Sequence, residues 1–323
     1  MAPDAPLPAR ALTAATPLSA PLVLAVDIGG TKLAAGLVDR TGALLAPALA
    51  PTPAGARAEE LWEALAAVVR AASAAAPKHA AVVACGVGSG GPMEPGGEAV
   101  SPLNIPGWRG FPLRARLAEL TGVPTFVDND AKALALAEGW RGAAVGRSDY
   151  IAMVVSTGVG GGIVLDGRLL EGRLGNAGHI GHVVVEPDGR PCACGGRGCL
   201  EAEASGMSIA AATGRPAATA PPAVVDRAGM LVGRAVASVA SLLDLDLAVV
   251  AGSVALGYGN AFFAAAQGEL AARARLSFSR RARIVPAGLG SQGPLLGAGA
   301  VGWRGLGATC GVTGSKAAPA ARR

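Results

Sequence analysis

The chain has 323 residues, 51% of them hydrophobic, enough to bury a core as one large domain or two smaller ones. No apolar run is long enough to span a bilayer, so a soluble protein is expected. The formal charge of +5 suits an anionic small ligand. The arginines are scattered and only 3% of residues are aromatic, which leaves no basic strip with stacking rings for nucleic acid.

Residues 1–21 are rich in Ala and Pro and lack a continuous apolar segment behind a basic start. They read as a disordered tail rather than a secretory signal. Five cysteines without an export signal point to a reducing cytoplasm. Residues 22–28 form a buried strand that enters a tight turn at Gly29-Gly30. A second strand at 33–38 leads to the turn Asp39-Arg40-Thr41-Gly42. Residues 57–75 have a helical period, with Leu61, Leu65, Val68 and Ala72 on one face. Residues 80–87 are another buried strand, and its Cys85 reads as an inert thiol. The Gly- and Pro-rich stretch 90–112 is a loop. A short helix at 113–120 and a strand at 124–127 follow, ending at Asp128-Asn129-Asp130. Strands alternating with helices argue for α/β architecture.

From Tyr150 the pattern restarts. VLAVDIGGTKLAAGLVDRTGALL and IAMVVSTGVGGGIVLDGRLL both read strand, Gly/Thr turn, strand, Asp-containing turn, two leucines. This is an internal repeat of two related lobes. Residues 226–243 predict a helix, with Met230, Val232, Ala235, Val236, Val239 and Leu242 on its buried side. Strands follow at 248–251 and 283–285, and residues 290–302 form a small-residue helix. Cys310 lies near the C-terminal tail and carries no assignment.

Gly-rich hairpins let backbone N–H groups approach phosphates closely, and Thr adds a hydroxyl. One such hairpin reads as a tight turn; two related by a repeat read as a phosphate site. Asp27 is placed to meet a metal ion bridging phosphates. No P-loop motif is present, and a strand rather than a helix follows Gly158-x-Gly160, which argues against a dinucleotide site. A carboxylate in Asp128-Asn129-Asp130 is a general base toward a substrate hydroxyl or a helix N-cap, and the residues alone leave both open.

Two of the three histidines and three of the five cysteines fall within residues 176–201. His182, Cys192, Cys194 and Cys199 make a Cys₃His set, the closed tetrahedral donor set of structural zinc. The competing reading is an unmetallated loop with ordinary thiols.

The motifs DIGGTK (27–32), GGP (90–92), NIPGW (104–108), DNDA (128–131), STGVGGG (156–162), AGHIGH (177–182) and CACGGRGCLEAEASG (192–206) together resemble the ROK family of sugar kinases and repressors. The resemblance spans about residues 22–305. It implies a two-lobed α/β ATPase fold of the actin, hexokinase and Hsp70 kind (ribonuclease H-like), with duplicated lobes. The expected lobes are 22–129, completed by a helix within 294–309, and a larger 130–293 carrying the zinc loop 182–199; 310–323 would be a flexible tail.

The resemblance assigns Gly29, Gly30, Thr31, Lys32, Thr157 and Gly158 to the neighbourhood of the ATP phosphates, with Gly252 and Ser253 near the nucleoside. It makes Asp130 the base for a sugar 6-hydroxyl. It gives Asn104, Asn129, His182 and Glu201 to the other hydroxyls. Mg²⁺ with ATP, a structural Zn²⁺ and a homodimer are implied as well. Three positions depart from the family pattern. His179 stands where Glu is usual, which exchanges a pure acceptor for a group that also donates. AGHIGH after STGVGGG is similar to N-acetylmannosamine kinases, so the favoured substrate is an N-acylmannosamine and the alternative is glucose or N-acetylglucosamine. Gly252-Ser253 replaces a fuller glycine run, and GLGSQGPLLGAG lacks the usual acidic residue. A repressor role is not expected, because only about twenty residues precede the first strand, too few for a DNA-binding module. A silent sugar-binding protein would bind sugar without ATP-dependent product.

Overall fold

The computed structural model describes residues 20–308. In chain order the first half contains β1 (Ala20–Ile28), β2 (Lys32–Val38), β3 (Leu44–Pro51), α1 (Ala58–Ala74), β4 (Ala80–Ser89), α2 (Leu113–Thr121) and β5 (Thr125–Asn129). Then come α3 (Asp130–Arg141), β6 (Tyr150–Val155), β7 (Val159–Leu165), β8 (Arg168–Leu169), α4 (Leu200–Ala204), α5 (Gly206–Thr213) and α6 (Pro222–Leu243). The chain closes with β9 (Leu247–Ala251), α7 (Ser253–Tyr258), α8 (Asn260–Arg273), β10 (Arg283–Pro286) and α9 (Gly293–Gly305). No described helix is long and apolar enough to cross a membrane.

The strands form two five-stranded sheets, ordered β3-β2-β1-β4-β5 and β8-β7-β6-β9-β10. In each, the first three strands are antiparallel and the last two join by parallel pairing. The two sheets thus have one topology, and the repeat read from two hairpins extends over the ten strands of the described residues. The apolar runs of β1 and β4 are continuous because central parallel strands are covered on both faces. Cys85 is fully buried there, and burial pushes its thiol up to about 12.

The helix after each sheet's last strand crosses to the other sheet. α3 follows β5 yet packs on β6 and β7, whereas α9 follows β10 yet packs on β1 and β4; the two helices also pack on each other. Small residues permit this closeness. A Cβ at Gly86 would lie 2.0 Å from the Ala298 carbonyl oxygen, and one at Gly162 would lie 2.8 Å from that of Ala131.

Several elements escape the sequence pattern. β3 contains Pro47 and Pro51 and few β-branched residues; it sits at a sheet edge, where proline is tolerated. The short α4, α5 and α7, the two-residue β8 and the alanine-rich α8 carry too little periodicity to read. Leu61, Leu65, Val68 and Ala72 are buried on α1 as expected. Two residues of α6 are not: Met230 is 40% exposed and Leu242 80%. Residues 230 and 232 lie about 200° apart on a helix, so they cannot share one face, and the core takes Val232. Ala20 and Pro21, read as tail, begin β1. Residues 1–19 and 309–323, including Cys310, lie outside the described part.

Candidate active site

The first hairpin is fixed by its own backbone and by a neighbouring threonine. Gly29 N–H donates to the Lys32 carbonyl (2.9 Å), Thr52 Oγ1 donates to that of Gly29 (2.7 Å), and Thr52 N–H to that of Thr31 (3.1 Å). Thr31 and Lys32 are exposed at its tip. Asp27, just before the turn, is buried at 9% exposure. Its β-sheet partner is Gly88, which pairs on its other side with Asp128.

Asp130 opens α3 directly above that glycine: a Cβ on Gly88 would stand 3.6 Å from Asp130 Cα and 3.9 Å from Asp27 Oδ1. Burial, and then the charge of Asp130, push Asp27 up to about 7, partly offset by Lys32. Burial also raises Asp130, against the Ala131 N–H that it accepts at 2.8 Å. Within this motif the cap falls on Asn129 and not on Asp130. Asn129 is the N-cap and accepts from Ala131 N–H (3.1 Å), while Asp130 is the first helical residue.

The GGP loop lies beside this pair. A Cβ at Gly30 would meet Asn104 Nδ2 at 2.9 Å, and one at Gly90 would meet Asn104 Oδ1 at 3.3 Å. Gly91 lies near Asn129 Nδ2 and His179 Cε1, at 3.5 and 3.9 Å by the same measure. Asn104 therefore lies against Gly30 and Gly90, and Asn129 and His179 lie against the adjacent Gly91, with Asp130 following Asn129 in the chain. His179 opens to solvent, yet partial burial and then the neighbouring His182 hold its imidazole below the ordinary value; their ring centroids are 6.0 Å apart.

The second hairpin, Ser156-Thr157-Gly158, closes β6 onto β7, and Ser156 N–H donates to the Gly158 carbonyl at 2.9 Å. Ser253 reaches it through a 2.9 Å hydroxyl contact with Ser156. Gly252 has φ +101°, and a Cβ there would sit 2.3 Å from the Val155 carbonyl oxygen, so this strand-to-helix turn demands glycine. Glu201 lies against the same hairpin and accepts from Val159 N–H at 2.8 Å.

The Cys₃His residues converge. The ligand atoms of His182, Cys192, Cys194 and Cys199 all lie within 4.8 Å of one another. Cys194 and Cys199 sulfurs are 3.8 Å apart, and Cys192 Sγ is 3.7 Å from His182 Nδ1. A tetrahedral zinc with Zn–S near 2.3 Å requires edges of about 3.8 Å, so the donor set fits that ion. The loop is tied to the second half by Glu203, 3% exposed, which accepts from Arg190 N–H (2.5 Å) and pairs with Arg227 of α6 (2.9 Å).

One charged cluster has no sequence signal. Lys132, 2% exposed, pairs with Asp128 (2.8 Å) and Glu171 (2.5 Å), and Glu171 binds Arg304 of α9 (2.6 Å). It borders a cavity of about 500 Å³ formed by the 93–97 and 171–175 loops, β5 and α9. Only the fold brings these residues together.

Residues 23–302 match the ROK family. The chain is 41% identical over 251 residues to an N-acetylmannosamine kinase of Escherichia fergusonii, a match covering 73% of this chain and 84% of the relative. Among solved structures it is similar to a ROK hexokinase from Thermus thermophilus (TM-score 0.74, 37% identity, 88% of this chain and 99% of that one). It is also similar to a ROK family glucokinase from Streptomyces griseus, solved with glucose and AMPPNP (TM-score 0.76, 31% identity, 88% and 99%).

Proposed function

The chain belongs to the ROK family, and on that premise we propose that it transfers the γ-phosphoryl group of ATP to the 6-hydroxyl of an N-acylmannosamine. It is a sugar phosphotransferase with the two-lobed, actin-like ATPase fold of its structural neighbours. The observation that carries the proposal is the pairing of Asp130 with Asp27 between two Gly/Thr hairpins.

Phosphoryl transfer depends mainly on alignment and charge neutralisation. Asp130 orients the acceptor hydroxyl and takes its proton late. Burial raises its affinity for protons, the direction that strengthens a carboxylate as a base. Gly29 shapes the first turn, its own N–H being held by the Lys32 carbonyl, and the backbone N–H groups of Gly30 and Gly158, the Thr31 and Thr157 hydroxyls and the Lys32 ammonium face the phosphates. Gly252 and Ser253 border the nucleoside. Asp27 would hold the Mg²⁺ that accompanies ATP; the ion supplies neutralisation of phosphate charge. Asn104, Asn129, His182 and Glu201 hold the sugar hydroxyls, and His179 donates toward an acylamino carbonyl. The four donors of the 182–199 loop would hold a structural zinc with no open position. The protein would act in the cytoplasm as a homodimer.

A glucokinase is the second reading, favoured by the solved hexokinase and glucokinase neighbours. ADP release measured across glucose, mannose, N-acetylglucosamine and N-acetylmannosamine decides between them. No ADP release with any sugar, despite sugar binding, would leave a non-catalytic sugar sensor.

A further inference from the structure

The zinc-loop cysteines and the phosphate hairpin meet at one carboxylate. Glu201 follows Cys199 by two residues, and its Oε2 accepts from Val159 N–H at 2.8 Å. The same oxygen would stand 2.7 Å from a Cβ on Gly158, so the hairpin tip is shaped to admit it. Two further contacts tie the segment to the hairpin. Gly206 and Met207 N–H groups donate to the carbonyls of Ser156 (2.7 Å) and Thr157 (3.2 Å). Gly181, next to His182, lies so close to β7 that a Cβ would fall 2.1 Å from the Val159 carbonyl oxygen. Two prospective zinc ligands, His182 and Cys199, are therefore one and two residues from groups that grip the hairpin.

We infer that Glu201 is a positioning residue for the nucleotide: it fixes the Thr157-Gly158 turn from the end of the Cys₃His loop. This rests on the kinase reading, in which that turn faces ATP phosphates. A turn whose amides are held before the ligand arrives loses little freedom on binding. A charged acceptor on the first amide of β7 is a strong clamp, since hydrogen bonds to ionised groups are about twice as strong as neutral ones. The sugar's contact with Glu201 and the phosphate hairpin thereby share one side chain.

The test compares wild type, Glu201→Ala and Glu201→Gln, each verified for zinc content and folded-state circular dichroism. AMPPNP affinity is measured by calorimetry without sugar, and KM for ATP and kcat with sugar. The alanine variant should bind AMPPNP about tenfold more weakly, the loss expected for a charge-assisted hydrogen bond, and raise KM for ATP more than it lowers kcat. Glutamine retains a carbonyl acceptor for Val159 N–H, so it should bind AMPPNP within about threefold of wild type while still losing sugar affinity. Wild-type AMPPNP affinity in the alanine variant, or tighter binding in either variant, overturns the role of Glu201 alone. Wild-type protein that binds no nucleotide overturns the kinase reading on which the role rests.

Discussion

Asp27 near the end of β1 and Asp130 at the start of α3 flank Gly88 so closely that a Cβ on that glycine would lie within 3.9 Å of both. Neither carboxylate has an arginine or buried lysine at its side, and the charge of Asp130 raises Asp27. Like charges held together in a buried site favour the protonated form of one of them. The pair is therefore costly when empty and suited to a cationic or proton-donating ligand.

Asp130→Asn keeps the shape and the helix start, since Asn129 supplies the cap. Turnover should fall by on the order of 10²–10⁴, the usual contribution of a general base. Sugar affinity, read by calorimetry, should change little. Near-normal turnover would remove Asp130 from the base role.

Asp27 sets a pH dependence. Its carboxyl is raised to about 7 in the fold from 3.8. Between these values the folded chain holds a proton that the unfolded chain releases, so stability falls as pH rises through this window. The contribution is about 4 kcal/mol at most. Without nucleotide or added Mg²⁺, Asp27→Asn should flatten this slope and raise the melting temperature at pH 8, while turnover is lost. An unchanged melting curve at pH 8 would contradict a desolvated carboxylate there.

His179→Glu should reverse the ranking of sugars. An imidazole donates to an acyl carbonyl where a carboxylate only accepts. Relative kcat/KM for N-acetylmannosamine over glucose should fall by about tenfold, equivalent to one hydrogen bond. An unchanged ranking would separate His179 from specificity.

Chelating the proposed zinc should lower the melting temperature and weaken sugar binding together. The four donors come from a loop whose small buried cluster joins Cys192 and Cys199 to Ala202 of α4. Cys199→Ser should reproduce both losses. Full sugar affinity in metal-free protein would uncouple the loop from the pocket.

Gly86→Ala tests the crossing of α9 onto the first sheet. The added methyl would fall 2.0 Å from the Ala298 carbonyl oxygen and 2.4 Å from Gly302 N. Backbone must move, so chemical denaturation should show a loss of about 3 kcal/mol. A neutral substitution would mean that the helix and strand separate easily.

The sequence by itself determined what is local. The two hairpins, their repeat and the convergence of the Cys₃His side chains are short-range patterns, and tight turns and closely spaced side chains are constrained by spacing. The helical period of α1 was equally legible, because its apolar residues are large and recur on one face. What only the tertiary structure decided are the meetings across the chain. Glu201 reaches Val159 over 42 residues, Lys132 reaches Glu171 over 39, and α3 and α9 exchange sheets. Small residues that permit such approaches, Gly86 and Gly162 among them, look the same in a sequence as any turn glycine. Their function appears only when a second backbone lies where a side chain would have been.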